Sequence, residues 1–174
     1  MQYRINDDEL RDKARRLKLM AFDVDGVMTD GRLIFNAEGE VLKVFHALDG
    51  QGLKFLREAG IKLAIITGRN SPMVQKRASD LGFDKVVQGR DDKGVVLQAI
   101  AEELGCTADE VGYAGDDVPD VSALQWASLA FSVPNAHRSA FNEAQIITDR
   151  PGGMGAVRDI CDIILAARQG ESLP

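Results

Sequence analysis

Leu17-Lys18-Leu19-Met20-Ala21-Phe22-Asp23-Val24-Asp25-Gly26 is the stretch that decides the architecture. Its first six residues form a mostly apolar run, which suits a strand covered on both faces of a parallel sheet. The run stops at two carboxylates spaced i, i+2 and a glycine, so a buried strand hands over to a polar turn. That spacing can aim both carboxylates into one crevice, where their repulsion calls for a cation, a shared proton or solvent. One Asp after a strand is ordinary turn chemistry. A doubled acid followed by Gly asks for more than a turn.

Outward from this strand the same punctuation recurs. Upstream, Asp7 to Arg16 is highly charged and reads as a surface helix leading into the strand. Downstream, the β-like stretches Arg32–Phe35 and Val41–Phe45 flank Asn36-Ala37-Glu38-Gly39, a hairpin in which Gly39 supplies a positive φ. The period then changes. Gly52–Ala59 reads as a helix stopped by Gly60, Ile61–Ile66 as a strand, Pro72–Leu81 as a helix closed by Gly82, and Lys85–Gln88 as a strand. Asp92–Leu104 is helical up to Gly105, Val111–Ala114 is a strand, and Pro119–Trp126 a brief helix. Leu129–Val133 and Gln145–Thr148 are short strands, and Ala156–Ala167 closes the chain with Val157, Ile160, Cys161 and Ile164 on one helical stripe. This alternation predicts an α/β fold, a doubly wound parallel sheet whose ligands bind at the carboxyl ends of its strands.

Composition narrows the function classes. At 174 residues the chain is one domain in length, residues 1–174, with the hairpin a small insertion at about 30–47. Apolar residues at 45% and charged residues at 28% describe a globular protein rather than a disordered one. A net charge of −6 with no basic tract argues against nucleic-acid binding. No apolar run is long enough for a membrane span, and no charged-then-apolar leader opens the chain, so a cytoplasmic location is expected. Cys106 and Cys161 sit in no metal or redox spacing.

Three further clusters end predicted strands. Thr67-Gly68-Arg69-Asn70 offers a hydroxyl, an exposed backbone N–H and a cation, enough to hold a phosphoryl oxygen, although Thr-Gly is also common in turns. Lys93 starts a predicted helix against its macrodipole, either pairing with Asp91 and Asp92 or serving an anionic ligand. Gly115-Asp116-Asp117-Val118-Pro119-Asp120 carries more acid than helix capping requires, and oxygen ligands grouped in this way suit Mg²⁺. Two acidic loops, a Thr and a Lys at successive strand ends describe metal-assisted phosphoryl transfer, a reaction in which an Asp carboxylate can act as nucleophile. Neither a Walker loop nor a Gly-x-Gly-x-x-Gly follows a strand, which weighs against nucleotide-loop and dinucleotide sites.

The order Phe22-Asp23-Val24-Asp25-Gly26, Ile66-Thr67-Gly68-Arg69, Asp92-Lys93, Gly115-Asp116-Asp117 resembles the haloacid dehalogenase superfamily of phosphatases. Asp25 to Gly31, Phe45 to Gly52 and Arg150 to Gly155 look like its capless branch, some of whose members act on an eight-carbon sugar-acid phosphate used for lipopolysaccharide. The resemblance implies a Rossmann-like core with no cap domain and a Mg²⁺ cofactor. It implies Asp23 as nucleophile and metal ligand, Asp25 as general acid/base lending its backbone carbonyl to the metal, and Asp116 as the remaining metal ligand. Thr67 and Lys93 would bind the phosphoryl group. Substrate binding would involve Asp25, the segment His46, Ala47, Leu48, Asp49 and Gly50, Lys54, Gly68, Arg69, Arg77 and Lys93. Lys54 stands where relatives can carry Arg, keeping the charge but losing the planar fork. His46 and Arg77 have bland alternatives, a polar hinge residue and a solvated cation, and Gly152–Gly155 could simply be a flexible entry to the last helix.

The hairpin carries the quaternary expectation. Leu33, Ile34, Phe35, Val41, Leu42, Val44 and Phe45 put apolar groups on both of its faces, and its own domain can cover only one. A homo-oligomer follows, the tetramer implied by the resemblance, with neighbouring chains helping to close the site. Competing readings are a phosphatase for a nine-carbon, sialic-acid-like phosphate, a phospho-acceptor signalling module, and an inactive binding relative. The signalling module needs a lone acceptor Asp on a different strand from the acid pair, and none ends the intervening strand.

Overall fold

Seven strands form the central sheet in the computed structural model, which describes residues 1–174. In chain order the elements are β1 (Gln2–Tyr3), α1 (Asp7–Arg16), β2 (Leu19–Phe22), β3 (Ile34–Asn36), β4 (Gly39–Leu42), α2 (Ala47–Glu58), β5 (Lys62–Thr67) and α3 (Pro72–Leu81). There follow β6 (Lys85–Gln88), α4 (Lys93–Glu103), β7 (Val111–Ala114), α5 (Val121–Trp126), β8 (Leu129–Ser132), α6 (Arg138–Glu143), β9 (Ile146–Ile147) and α7 (Ala156–Gln169). The sheet order is β1-β9-β8-β7-β2-β5-β6, parallel throughout except for β1 against β9. β3 and β4 make a separate hairpin.

All four residues of β2 are completely buried, as its apolar run requires. Alternation along the strand divides the core. Met20 and Phe22 face the layer built by α1, α2, α3 and α7, whereas Leu19 and Ala21 face the layer built by α4, α5 and α6. Ala21 lies between Ala64 of β5 and Tyr113 of β7, which puts β2 at the centre of the sheet.

The structure corrects the sequence reading in four places. α1 is more than a surface helix, because Leu10 and Ala14, spaced i, i+4, are fully buried, and the Arg168 guanidinium donates to the carbonyls of Ala14 and Leu17 at 3.0 and 2.8 Å. β1 and α6 were not expected, and β1 makes the sheet mixed at one edge. Both are shorter than local signals can specify. α6 is held instead by Arg4, whose Nη1 donates to the carbonyls of Phe141, Asn142 and Ala144. Finally, α2 begins at Ala47, five residues before the expected Gly52, with Gly50 and Gly52 inside it.

Helix propensity disfavours those glycines by about 1 kcal/mol each, so packing must require them. A Cβ on Gly50 would lie 2.6 Å from Arg77 Nη2, and one on Gly52 would lie 2.9 Å from Arg158 Cδ and 3.0 Å from Cys161 Cβ. Close approach of α2 to α3 and α7 wins over propensity.

Candidate active site

The four sequence clusters end β7, β2, β5 and β6, which are adjacent in the sheet. Their loops line one cavity of about 140 Å³ with Asp23, Asp25, Thr67, Gly68, Arg69, Asp91, Lys93, Asp116, Asp117, Pro119 and Asp120. Asp23 follows Phe22 directly, and its N–H donates to the Ala114 carbonyl at 2.9 Å, extending the β2–β7 pairing to the site itself. The chain then turns sharply, with Gly26 at φ 105°. A Cβ there would fall 2.0 Å from Asp116 Oδ2, so glycine is what lets the β2 loop close on the β7 loop.

Lys93 binds the two acidic loops together. It is the first residue of α4, only 4% exposed, and its Nζ lies 2.7 Å from both Asp23 Oδ1 and Asp120 Oδ1. Asp91 and Asp92 are not its partners; Asp92 pairs with Arg90 at the surface. Asp120 is fully buried and fully engaged, accepting from Tyr113 Oη at 2.6 Å and from the N–H groups of Asp116 and Asp117 at 3.0 Å each. Asp117 accepts from its neighbour Val118 N–H at 2.7 Å. The surplus of acid in this loop therefore resolves into a cap, a holder of Lys93 and one remaining group. That group is Asp116, whose buried Oδ1 has no hydrogen-bond partner.

Charge in the cavity is lopsided. Burial, then the charge of Asp120, push the Asp23 carboxyl above its usual range against the pull of Lys93. Burial and Asp120 likewise raise Asp116, to about 7. Burial disfavours the Lys93 ammonium, but Asp23 and Asp120 outweigh it and the net shift is upward. The carboxylate oxygens of Asp23, Asp116 and Asp120 lie within 4.8 Å of one another. An unpartnered buried oxygen in such a cluster, rich in hard oxygen donors, fits a divalent cation. Asp25 stands apart from this cluster. Its side chain turns toward the hairpin, pairing with Lys43 Nζ, while Arg69 Nε lies 4.0 Å from its Oδ2.

Thr67 ends β5 almost completely buried, its hydroxyl accepting from Arg69 N–H at 3.4 Å. Gly68 is required by Asp91, whose Oδ1 would sit 2.4 Å from a Cβ. Arg69 lies over the Phe35 ring at 5.4 Å, which brings the hairpin to the cavity mouth.

The other residues singled out for substrate do not line this cavity. His46 caps α2, its Nδ1 accepting from Leu48 N–H at 3.3 Å, and Ala47 and Leu48 are exposed. Arg77 donates to the His46 carbonyl, covers the Phe45 ring and packs on Gly50, lining a neighbouring cleft of about 390 Å³. Lys54 lines another cleft with Arg57 and Asp80. Asp49 turns inward, its Oδ1 accepting from Arg158 N–H at 2.9 Å in the first turn of α7. It caps that helix, whose N-cap residue, Gly155, has no side chain to do so. Gly152 and Gly153 have a structural role in their own chain. Gly153 N–H donates to the Val27 carbonyl at 3.1 Å, and a Cβ on Gly152 would sit 1.7 Å from the Gly26 carbonyl oxygen. They brace the turn that presents Asp25.

Three residues of the site escaped the sequence reading as individuals. Tyr113 sat unremarked in a strand, Asp120 was counted with its loop, and Lys43 looked like an ordinary polar residue of a hairpin. Only Lys43 had a signal, a lone cation between Leu42 and Val44 on alternating faces.

A doubly wound sheet with a carboxylate pair at its central strand end, faced by Thr67, Lys93 and Asp116, agrees with the comparisons to known proteins. The family model for haloacid dehalogenase-like hydrolases matches residues 36–128, and the chain belongs to that family. Among its relatives is the 3-deoxy-D-manno-octulosonate 8-phosphate phosphatase KdsC of Yersinia pestis, 38% identical over 92% of this chain and 86% of that protein. The crystal structure of the Moraxella catarrhalis 3-deoxy-D-manno-octulosonate 8-phosphate phosphatase, in complex with magnesium ion, phosphate ion and KDO, superposes with a TM-score of 0.90. It is 44% identical, and 94% of each chain is covered. The cobalt-bound Haemophilus influenzae phosphatase gives a TM-score of 0.88 at 36% identity, covering 90% of this chain and 92% of that one.

Proposed function

We propose that this protein is a Mg²⁺-dependent phosphatase that hydrolyses 3-deoxy-D-manno-octulosonate 8-phosphate through an aspartyl-phosphate, supplying the free sugar acid to lipopolysaccharide synthesis. The observation that carries the reading is the cavity itself. Asp23 stands at its floor on the central strand, held through one oxygen by a buried Lys93, with Asp25 two residues away. The Asp23 carboxylate attacks phosphorus in line with the ester oxygen, and Asp25 gives that oxygen its proton. Asp25 then takes a proton from the water that attacks the aspartyl-phosphate, and Asp23 leaves as a carboxylate. The Thr67 hydroxyl, the backbone at Gly68 and Arg69, and Lys93 hold the phosphoryl oxygens. Asp23, Asp116 and the Asp25 carbonyl would hold Mg²⁺, and the cation would supply charge neutralisation between this acidic cavity and the phosphate.

A panel of sugar phosphates assayed with Mg²⁺ and with EDTA tests the proposal. The eight-carbon sugar-acid phosphate is expected to exceed nine-carbon and simple sugar phosphates in kcat/KM, and EDTA to abolish turnover. Undiminished turnover in EDTA refutes the mechanism, and preference for a nine-carbon acid moves the substrate.

The proposal includes a single domain without a cap, acting as a cytoplasmic homotetramer. Leu33, Ile34, Phe35, Val41, Leu42 and Val44 are all at least 40% exposed on the hairpin, a surface that another chain would cover. No helix is long and apolar enough to cross a membrane. His46, Lys54 and Arg77, outside the cavity of their own chain, are cations or potential cations that a neighbouring site can use. Sedimentation at micromolar concentration is expected to give a tetramer, and a monomer there removes this part of the proposal.

A further inference from the structure

Lys43 is buried where its neighbours are not. Leu42 is 47% and Val44 56% exposed, yet the Lys43 side chain is only 1% exposed. Withdrawing an ammonium from water costs several kcal/mol unless it is paired, and Lys43 is paired twice. Its Nζ contacts Asp25 Oδ1 and lies 2.9 Å from Glu40 Oε1, so the contact crosses from the hairpin to the catalytic loop. Period-two alternation explains how: it turns Leu42 and Val44 outward and Lys43 inward, over the β2 turn. With Oδ1 held, Asp25 keeps a buried Oδ2 that has no hydrogen-bond partner, on a residue that lines the cavity.

We propose that Lys43 is a positioning residue for Asp25, and that through it the β-hairpin is part of the catalytic apparatus of its own chain. The inference rests on the phosphatase reading above, in which Asp25 passes a proton to the departing ester oxygen. Lys43 ties one carboxyl oxygen and fixes the side-chain rotamer, so that the other oxygen faces the leaving group. Glu40 Oε1, 2.9 Å from the same ammonium, gives it a second ion-pair partner on the hairpin. A hairpin whose outer surface is apolar and whose inner surface grips the acid links its own ordering to proton transfer.

Leaving-group dependence separates this role from a structural one. A sugar phosphate loses an alkoxide that needs a proton, whereas p-nitrophenyl phosphate loses a phenolate that does not. Lys43→Met is expected to lower kcat for the sugar-acid phosphate about tenfold or more, within the range of general-acid effects, with KM within about threefold. Its kcat/KM for p-nitrophenyl phosphate, which reports only the first transfer and not the hydrolysis step in which Asp25 acts as base, should change by less than about threefold. Lys43→Arg, which keeps the charge and guards against a folding defect in the first variant, is expected to show the same bias to a smaller extent. In an Asp25→Asn background, Lys43→Met should cost nothing further on the sugar phosphate. Equal losses of kcat/KM on both substrates, an unchanged substrate ratio of kcat/KM in both Lys43 variants, or additive losses in the double variant overturn the inference. Full sugar-phosphate activity in Asp25→Asn alone instead overturns the assignment of Asp25, so the two failures are distinguishable.

Discussion

Replacing Asp23 by asparagine is expected to lower kcat for the sugar-acid phosphate by about four orders of magnitude or more, the scale on which removal of an essential nucleophile acts. The substitution is isosteric, so the shape of the cavity floor is kept. An amide oxygen is a poor nucleophile, however, and carries no charge to match Lys93 at 2.7 Å. Acid quench of the wild-type protein during turnover should trap phosphate on the Asp23 peptide, and the variant should trap none. Stability should change little, because burial and the charge of Asp120 already disfavour the ionised form of Asp23. Activity within about tenfold of wild type, or phosphate trapped on another residue, would place the nucleophile elsewhere.

Lys93→Met carries the second large effect, and here stability and activity fall together. Lys93 is the buried cation between Asp23 and Asp120, with Asp116 beside them. Removing one partner of a buried ion pair typically costs about 3–5 kcal/mol, because the remaining charge is stranded. The loss is expected to depend on pH. In the metal-free wild type Asp116 titrates at about 7 and Asp23 is also raised, so between the unfolded carboxylate range near ~4 and about 7 the folded state holds more protons than the unfolded chain. Their contribution to stability therefore falls as pH rises through that window. Lys93 has the opposite role, its raised pKa keeping it cationic and stabilising throughout. Without it the acids stay protonated to higher pH, and the falling slope extends further. Urea unfolding in EDTA should show the variant several kcal/mol below wild type at pH 8 and closer to it at pH 5. Equal deficits at the two pH values would mean that the acids do not answer to Lys93. Turnover should be lost at either pH, since the proposed mechanism uses Lys93 to hold a phosphoryl oxygen.

The resemblance and the strand pattern foretold most of what lines the cavity. Asp23, Asp25, Thr67, Lys93 and Asp116 announce themselves because polar groups directly follow buried apolar strands, and parallel β-α connections bring such ends to one edge. Roles within that cavity were less legible. Lys93 sits next to Asp91 and Asp92 in the chain, yet its partners are Asp23 and Asp120, from the loops that follow the neighbouring strands β2 and β7. Asp49 looked like part of a substrate motif and caps α7, more than a hundred residues away. Gly50 was read as part of the substrate segment and Gly52 as the first residue of a helix, yet both lie inside α2, where contact with Arg77, Arg158 and Cys161 explains them.

Local patterning thus determined the longer elements and the edge of the sheet on which the chemistry lies. Strand burial, helix caps and glycine stops act over a few residues and are written in their neighbours. Tertiary structure alone decided which charges meet: Lys43 on Asp25, Lys93 between two acids, and Asp116 with one buried oxygen unpartnered. Such pairings depend on positions through space between segments distant in the chain. Burial then makes each pairing matter, since a charge withdrawn from water is strongly held by whichever neighbour it finds.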